Sequence, residues 1–386
     1  MPKINLLFVI TKLALGGAQK QLLSLINSLG KNKYNVFLLT AQAGWLIPEV
    51  SSSDGVFLKK SKFLERQINP IKDVLALIEI YCFIKKYKIQ IVHTHSSKAG
   101  ILGRVAAKLA KTPVIIHTVH GWSFNDYQPA IINCFYVFLE KLCAAFTSKI
   151  IVVSRFDQDK GLAKSIGKKD QYLLIRYGLD VQSFKYPGKR DEIRKLLGIS
   201  ATDLAVGMVA CFKPQKAPLD FIELAARTRK NFPGAKFVLV GDGELRKQVE
   251  LRIKQLNLEG QVILTGWQHD IPLILSGLDV FVLTSLWEGL PIVVLEAMAA
   301  KVVLVVTDTG GIREIVVNQE SGYLVRPHDI LSMQNRLEEL LASAQKRDEF
   351  VGRSSQVVSA KDFLLSSMFK DTEQLYSNLV QENRSA

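Results

Sequence analysis

Residues 278–296 read LDVFVLTSLWEGLPIVVLE. The run VFVL, bounded by Asp279 and by Thr284-Ser285, has the continuous apolar character of a strand buried on both faces of a parallel sheet. Behind it, Pro291 suits the first turn of a helix whose apolar residues, Ile292 to Leu295, form its packing face. A strand that spills through a short loop into a helix is the repeating unit of a doubly wound sheet, and such sheets bind ligands beyond the carboxyl ends of their strands. The loop delivers Glu288 to that edge. Glu296 falls about a turn and a half inside the helix, roughly 7–9 Å along its axis from Pro291. That separation fits two ends of one ligand better than one proton-transfer site.

The same scheme runs outward in both directions. INLLFVIT, YNVFLLTA, IQIVHTH, TPVIIHTVH and SKIIVVS read as strands in the first half, with GAQKQLLSLINSLGK and GILGRVAAKLAK as helices between them. LAVGMVACF, AKFVLVG, QVILTG and VVLVVTDT restart it in the second, separated by PLDFIELAARTRKNF and GELRKQVELRIKQLNL. At 386 residues the chain exceeds one ordinary core. The break is expected around 180–203, where VQSFKYPGKRDEIRKLLGIS joins a Pro-Gly pair to clustered charge. The fold class is therefore α/β, two facing Rossmann-like doubly wound domains with a cleft between them. The domains are expected over 1–190 and 191–365, with 366–386 a C-terminal helix crossing back to the first.

Hydrophobic residues make up 48 % of the chain, which marks it as globular. Its net charge of +14 is concentrated in residues 1–190, with 28 Lys and Arg against 11 Asp and Glu; residues 191–386 hold 22 against 25. Such a field draws an anionic partner. With no helix-turn-helix, zinc-finger or aromatic RNA-binding pattern, nucleic acid is set aside and anionic lipid headgroups lead, a merely soluble basic surface staying open. FLKKSKFLERQ and YCFIKKYK mix aromatics with lysines, and residues 129–146 read either as a membrane-facing helix or as a buried one. No window offers about 18 uncharged apolar residues, so no membrane-spanning helix is expected, and the opening residues read as a strand rather than a secretory signal. Cys82, Cys134, Cys143 and Cys211 lack metal or redox spacing and read as buried free thiols in a reducing compartment.

Several loops at strand ends carry chemistry. Gly16 and Gly17 let the backbone approach a bulky anion at a helix N-terminus. His93 and His95 share one strand face, but without carboxylates at ligand spacing they make a poor metal site. His120 precedes a glycine where a strand leaves the sheet, placed for a sugar hydroxyl or a phosphate; a structural histidine is the plain alternative. Lys213 and Lys216, three apart across a Pro-Gln turn, make a diphosphate receptor unless they are only a solvated loop. Gly241-Asp242-Gly243 and Gly266-Trp267 end two strands with the backbone-lined edge and aromatic neighbour that a flat nucleobase favours.

Taken in order, GGAQ, HTVHG, CFKPQK, VGDGE, TGWQHDIP, EGLPIVVLEAMA and TDTGGIREIV resemble glycosyltransferase family 4, retaining enzymes of GT-B fold that use nucleotide-sugar donors. HTHSSKAGILGR with TVHGW is similar to the subgroup that builds capsule, O-antigen or exopolysaccharide units on a lipid carrier. The resemblance implies an acceptor-binding first domain and a donor-binding second. It assigns the donor diphosphate to Gly17, beside Gly16 of the donor set, and to Lys213 and Lys216, the transferred sugar to Glu288 with Gly289, Leu290 and Pro291 nearby, and the ribose to Glu296. Gly241, Gly243 and Trp267 join the donor set, and His120 lies at the reaction centre with Glu288, Lys213 and Lys216. Three positions depart from the family pattern: Lys213 replaces a frequent arginine, Tyr177 a frequent asparagine, and Ala300-Lys301 a frequent Cys-Gly.

The resemblance thus implies a retaining glycosyltransferase that moves a sugar from a UDP-sugar to a polyprenyl-diphosphate-linked saccharide. It implies no cofactor, the nucleotide-sugar being a co-substrate, and no metal, since the lysines supply the charge. The expected location is cytoplasmic, peripheral on the inner face of the cell membrane. A transferase with a soluble acceptor, a nucleotide-sugar epimerase and a basic nucleic-acid-binding protein are the rival readings.

Overall fold

The apolar runs form two separate parallel sheets, one in each of two compact units. The structure, a computed structural model, describes residues 2–51, 55–184 and 189–385. The first unit runs to Gly178 and takes in the segment from Leu365 onward; the second is Leu179–Leu364. The Pro187-Gly188 pair read as part of the domain break lies outside the described residues.

In the first unit the chain begins with β1 (Ile4–Ile10), α1 (Gly17–Ser28), β2 (Tyr34–Ala41), α2 (Ile47–Ser51) and β3 (Val56–Ser61). It continues with α3 (Pro70–Lys86), β4 (Ile91–His95), α4 (Ser97–Leu109) and β5 (Val114–Val119). α5 (Ala130–Ala144), β6 (Lys149–Val152), α6 (Arg155–Ala163) and β7 (Tyr172–Leu174) complete the run. The strand order is β3-β2-β1-β4-β5-β6-β7. Leu6, Leu7, Phe8 and Val9 of the central β1 are wholly buried, because helices cover both faces of a parallel sheet. Right-handed crossovers put α3, α4 and α5 on one face, where α4 packs against both neighbours. Asn69 caps α3 through its side chain, with Pro70 at the first helical position.

The second unit repeats the plan with α7 (Arg190–Leu196), β8 (Ala205–Val209), α8 (Pro218–Thr228), β9 (Lys236–Val240) and α9 (Arg246–Gln255). β10 (Val262–Gly266), α10 (Ile271–Ser276), β11 (Val280–Leu283), α11 (Ile292–Ala299) and β12 (Val303–Thr307) follow. β13 (Tyr323–Val325), α12 (Ile330–Ala342) and α13 (Ala344–Val358) close it, in the order β10-β9-β8-β11-β12-β13. The last helix, α14 (Leu365–Ser385), belongs to the first unit, where its Tyr376 is fully buried. Strand order reverses between β1 and β4 in one sheet and between β8 and β11 in the other. These switch points are where doubly wound sheets bind ligands.

Some expectations need correcting. Pro291 is not inside the helix but stands immediately before it, with α11 starting at Ile292. Cys82 and Cys134 are exposed, on the outer surfaces of α3 and α5, and only Cys143 is fully buried. Strands β3, β7 and β13 had no counterpart among the expected strands. β3 carries Lys59 and Lys60 at the sheet edge, where charge discourages pairing with another chain and hides the strand from an apolar search. Among the described residues no helix is long and apolar enough to cross a membrane.

Candidate active site

In the second unit, the switch point gathers two loops that lie far apart in sequence. After β8 the chain makes a single tight turn over Pro214–Lys216, and Ala217 adopts left-handed backbone (φ 43°) before α8 begins. The Leu286 amide donates to the Gln215 carbonyl at 2.8 Å, and the Gln215 side-chain amide donates to the Trp287 carbonyl at 2.6 Å. The Thr284 hydroxyl, at the end of β11, is shared between the carbonyls of Lys216 (2.8 Å) and Ala217 (2.9 Å). Fastened in this way, the loops bring the Lys216 ammonium and the Glu288 carboxylate into a direct ion pair, both side chains largely buried. The lysine placed for phosphate and the acid placed for sugar are therefore immediate neighbours. A ligand carrying both groups would engage the pair as a unit.

A third loop holds the second from behind. The Thr309 hydroxyl donates to the Leu286 carbonyl at 3.0 Å, Thr307 donates to the Ser285 carbonyl at 2.6 Å, and the Gly311 amide donates to the Gly289 carbonyl at 2.7 Å. Gly310 has φ 59°, and a Cβ there would fall 2.0 Å from the Glu288 carbonyl oxygen. Only glycine fits. Leu290 and Pro291 are buried where the loop enters α11. Pro291 has no side chain that could cap the helix, and α11 has no acid in its first turn. The positive end of the helix dipole thus lies beside the Glu288 loop. Glu296 sits four residues past the first residue of α11, roughly 6 Å along its axis.

The remaining donor candidates fall on neighbouring strand ends. Lys213 immediately precedes the tight turn and is half-buried. Gly241 (φ 123°) and Gly243 make close backbone approaches, with a Cβ at the first lying 2.0 Å from the Ala210 carbonyl and at the second 2.5 Å from that of Phe212. The Gly241 amide is already spent on the Gly266 carbonyl at 2.9 Å, so these glycines shape the rim rather than offer it that donor. Trp267 follows Gly266 and is half-buried.

In the first unit, Gly16 caps α1 with extended backbone (φ −150°) and Gly17 is its first residue. Neither has left-handed backbone; at Gly16 an added Cβ would meet only the end of the flexible Gln19 side chain, 2.7 Å away. The switch point itself is bridged by the hydroxyls of Thr11 and Ser96, 2.8 Å apart.

The histidines form two hydrogen-bonded chains rather than a metal site. His93 is bonded through Nδ1 to the Tyr376 hydroxyl (2.6 Å) and through Nε2 to Thr118 (2.7 Å), leaving neither nitrogen for a metal. His120 is bonded through Nε2 to His95 Nδ1 (2.9 Å) and through Nδ1 to the Tyr177 hydroxyl (2.7 Å). Its rings stack with those of both partners. His95 Nε2 is buried without a hydrogen-bond partner among the described residues. Burial pushes His93 down to about 3 and His120, which keeps a partly open edge, to about 4. Burial, then the neighbouring histidines, holds His95 well below the usual value; burial, then Arg104, does the same for His117. All four rings are neutral at pH 7. Both nitrogens of His120 are thus engaged within the protein, so a contact from its ring to a ligand would exchange one of these bonds.

Sequence reading passed over Gln215, Thr284, Thr309 and Gly310, which fix the loops, and it marked Tyr177 only as a departure from the family pattern, without its contact to His120. Their only signal was position: each polar residue follows a strand end, and Gly310 opens a paired-glycine turn.

The profile of group 1 glycosyl transferases matches residues 189–356, and that of glycosyltransferase family 4 matches 15–182. A relative from Escherichia coli, UDP-Gal:alpha-D-GlcNAc-diphosphoundecaprenol alpha-1,3-galactosyltransferase, is 35 % identical over 339 residues, 87 % of each chain. The chain belongs to the family 4, group 1 glycosyltransferases. The transferase is also 22 % identical over 348 residues to the capsular polysaccharide biosynthesis glycosyltransferase CapM of Staphylococcus aureus, covering 86 % of this chain and 90 % of that one. Its fold matches that of Alr3699/HepE of Anabaena, solved in complex with UDP-glucose, with a TM-score of 0.84 at 20 % identity over 97 % of this chain and 100 % of that one. The transferase thus has the GT-B fold.

Proposed function

We propose that this glycosyltransferase moves a sugar from a UDP-sugar, with retention of anomeric configuration and without a metal, to a saccharide carried on polyprenyl diphosphate during surface-polysaccharide assembly. The observation that carries the reading is the Lys216–Glu288 pair at the switch point of the second sheet. The 35 % identical relative supports it by the UDP-Gal donor and diphosphoundecaprenol-linked acceptor in its name. Lys213 and Lys216 would stabilise the leaving diphosphate, Glu288 would hold hydroxyls of the transferred sugar, and Glu296 the ribose. In the first unit, His120 would serve the acceptor side.

A carboxylate nucleophile would be needed for double displacement. Glu288 is already tied to Lys216, so same-face attack suits the site better. The bond from C1 to the diphosphate oxygen breaks, a bond from C1 to the acceptor oxygen forms on the same face, and the acceptor's proton passes to the departing diphosphate. Two lysines beside a helix N-terminus can take the place a metal would fill in stabilising that charge. The basic first half would keep the enzyme on the inner face of the cell membrane, where such an acceptor resides.

Radiolabelled UDP-hexoses, UDP-N-acetylhexosamines and GDP-mannose, each incubated with a polyprenyl-diphosphate-sugar, test this. One donor should label the lipid fraction with its anomeric configuration kept and with EDTA present. Conversion of a donor without acceptor would instead mark an epimerase, and inversion or loss in EDTA would remove the corresponding part of the mechanism.

A further inference from the structure

We propose that the outward faces of α3 and α5 form a docking surface that inserts into the headgroup–acyl boundary of an anionic lipid bilayer. The proposal rests on the reading of a lipid-linked acceptor, and it replaces attraction by charge alone with apolar insertion by two named helices.

Both helices carry apolar residues on their outward faces, α3 in addition to the Ala76, Ile80, Phe83 and Ile84 that it buries in the core. On α3, Ile71, Val74 and Ile78 recur at helical spacing and face solvent, Ile71 being 75 % exposed. On α5, Ile131, Phe135 and Phe138 do the same, with Ile131 at 79 % and Phe138 at 62 %, while Glu140 of the same helix is only 3 % exposed. A soluble surface helix turns its charges out and its apolar stripe in. Here Glu140 points inward to Arg104, 2.6 Å away, and the stripe points out. The two helices flank α4 on one face of the sheet, so the stripes belong to one surface. Apolar patches of that kind on a soluble chain mark an interaction site.

Charge selects lipid as the occupant. The acids of these two helices are each matched internally: Asp73 by Lys98, Glu79 by Lys59 and Glu140 by Arg104. Lys85, Lys86, Lys108 and Lys141, in the last turns of α3, α4 and α5, are exposed. Lysines beside an apolar stripe can reach up to phosphate headgroups while the stripe enters the acyl region. A second copy of the chain would bring a like-charged lysine rim against this one, which disfavours self-association on the same face.

The exposed Cys82 and Cys134 supply a probe within the native chain. Cys82 follows Ile78 by four positions on α3, and Cys134 precedes Phe138 by four on α5, so each lies beside its stripe. A water-soluble maleimide should modify both readily, and vesicles of phosphatidylglycerol with phosphatidylethanolamine should slow both by about tenfold or more; phosphatidylcholine vesicles should protect less. Flotation with the anionic vesicles should weaken but persist in about 1 M salt, where surface charge is screened. Phe135→Ser with Phe138→Ser, or Ile71→Ser with Ile78→Ser, should lower vesicle partition at least about tenfold. UDP-induced thermal stabilisation, an independent readout of the glycosyltransferase reading, should stay as in the wild type. Unchanged maleimide rates, or variants that float like wild type, would overturn the proposal. A wild-type dimer that these variants dissociate would also overturn it, as self-association. Loss of the UDP response in the wild type would count against the proposed donor instead and leave the vesicle result to be judged alone.

Discussion

Lys216 and Glu288 stand 72 positions apart in the chain, yet they form one ion pair, largely screened from water. Lys216→Ala removes a charge-assisted contact to the leaving group and should lower kcat/KM about 10- to 150-fold, an effect of about 1.5–3 kcal/mol. It also strands the Glu288 carboxylate. Replacing both residues should therefore cost less than the sum of the single losses, and a double-mutant cycle on kcat/KM measures the coupling. Strict additivity would mean that the two act separately. Tyr177 offers a second test at this scale. Tyr177→Phe takes the hydroxyl from His120 Nδ1 and leaves that nitrogen without its 2.7 Å bond. If His120 serves the acceptor side, kcat/KM for the acceptor should fall while UDP-induced thermal stabilisation stays unchanged. A drop in UDP binding would relocate the role of this chain.

At the scale of elements, the central strands were legible because a parallel sheet buries both their faces and so writes them as unbroken apolar runs. β2 matches its expected run YNVFLLTA from end to end. The edge strands β3, β7 and β13 were not legible, since short or partly solvated strands need no such run. The strand–loop–helix unit gave away the position of Glu288 and Glu296. Nothing in local periodicity encodes the three-loop bracket around Glu288, which is built from side-chain bonds to carbonyl oxygens of distant segments. Gly310 is the keystone of that bracket. Gly310→Ala must resolve both a φ of 59° and a Cβ 2.0 Å from the Glu288 carbonyl, so the loop has to move. We expect a loss on the order of 2–4 kcal/mol in chemical denaturation, with activity falling further than stability alone explains. Near-normal activity in that variant would show that the loop does not set the position of Glu288.

Across the whole molecule, two sheets of the same plan carry opposite burdens. The second holds the ion pair and its loop bracket, while the first encloses His93, His95 and His117, all nearly inaccessible, within β4 and β5. Their burial has a consequence for folding. In the unfolded chain a histidine takes up a proton near pH 6.5. In the folded chain burial keeps His93 neutral down to about 3, and holds His95 and His117 neutral well below the usual value. Between the two values the unfolded state binds more protons, so acid favours unfolding. The stabilisation is fully present above about pH 6.5 and drains away below it, by up to about 1.4 kcal/mol per pH unit for each ring. Denaturation midpoints should therefore hold level above pH 7 and decline steadily from about pH 6.5 to 5, before most carboxylates begin to titrate. A midpoint that stayed flat to about pH 5 would mean that the folded rings accept protons, and that the hydrogen-bonded chains to Tyr376 and Tyr177 open to admit them.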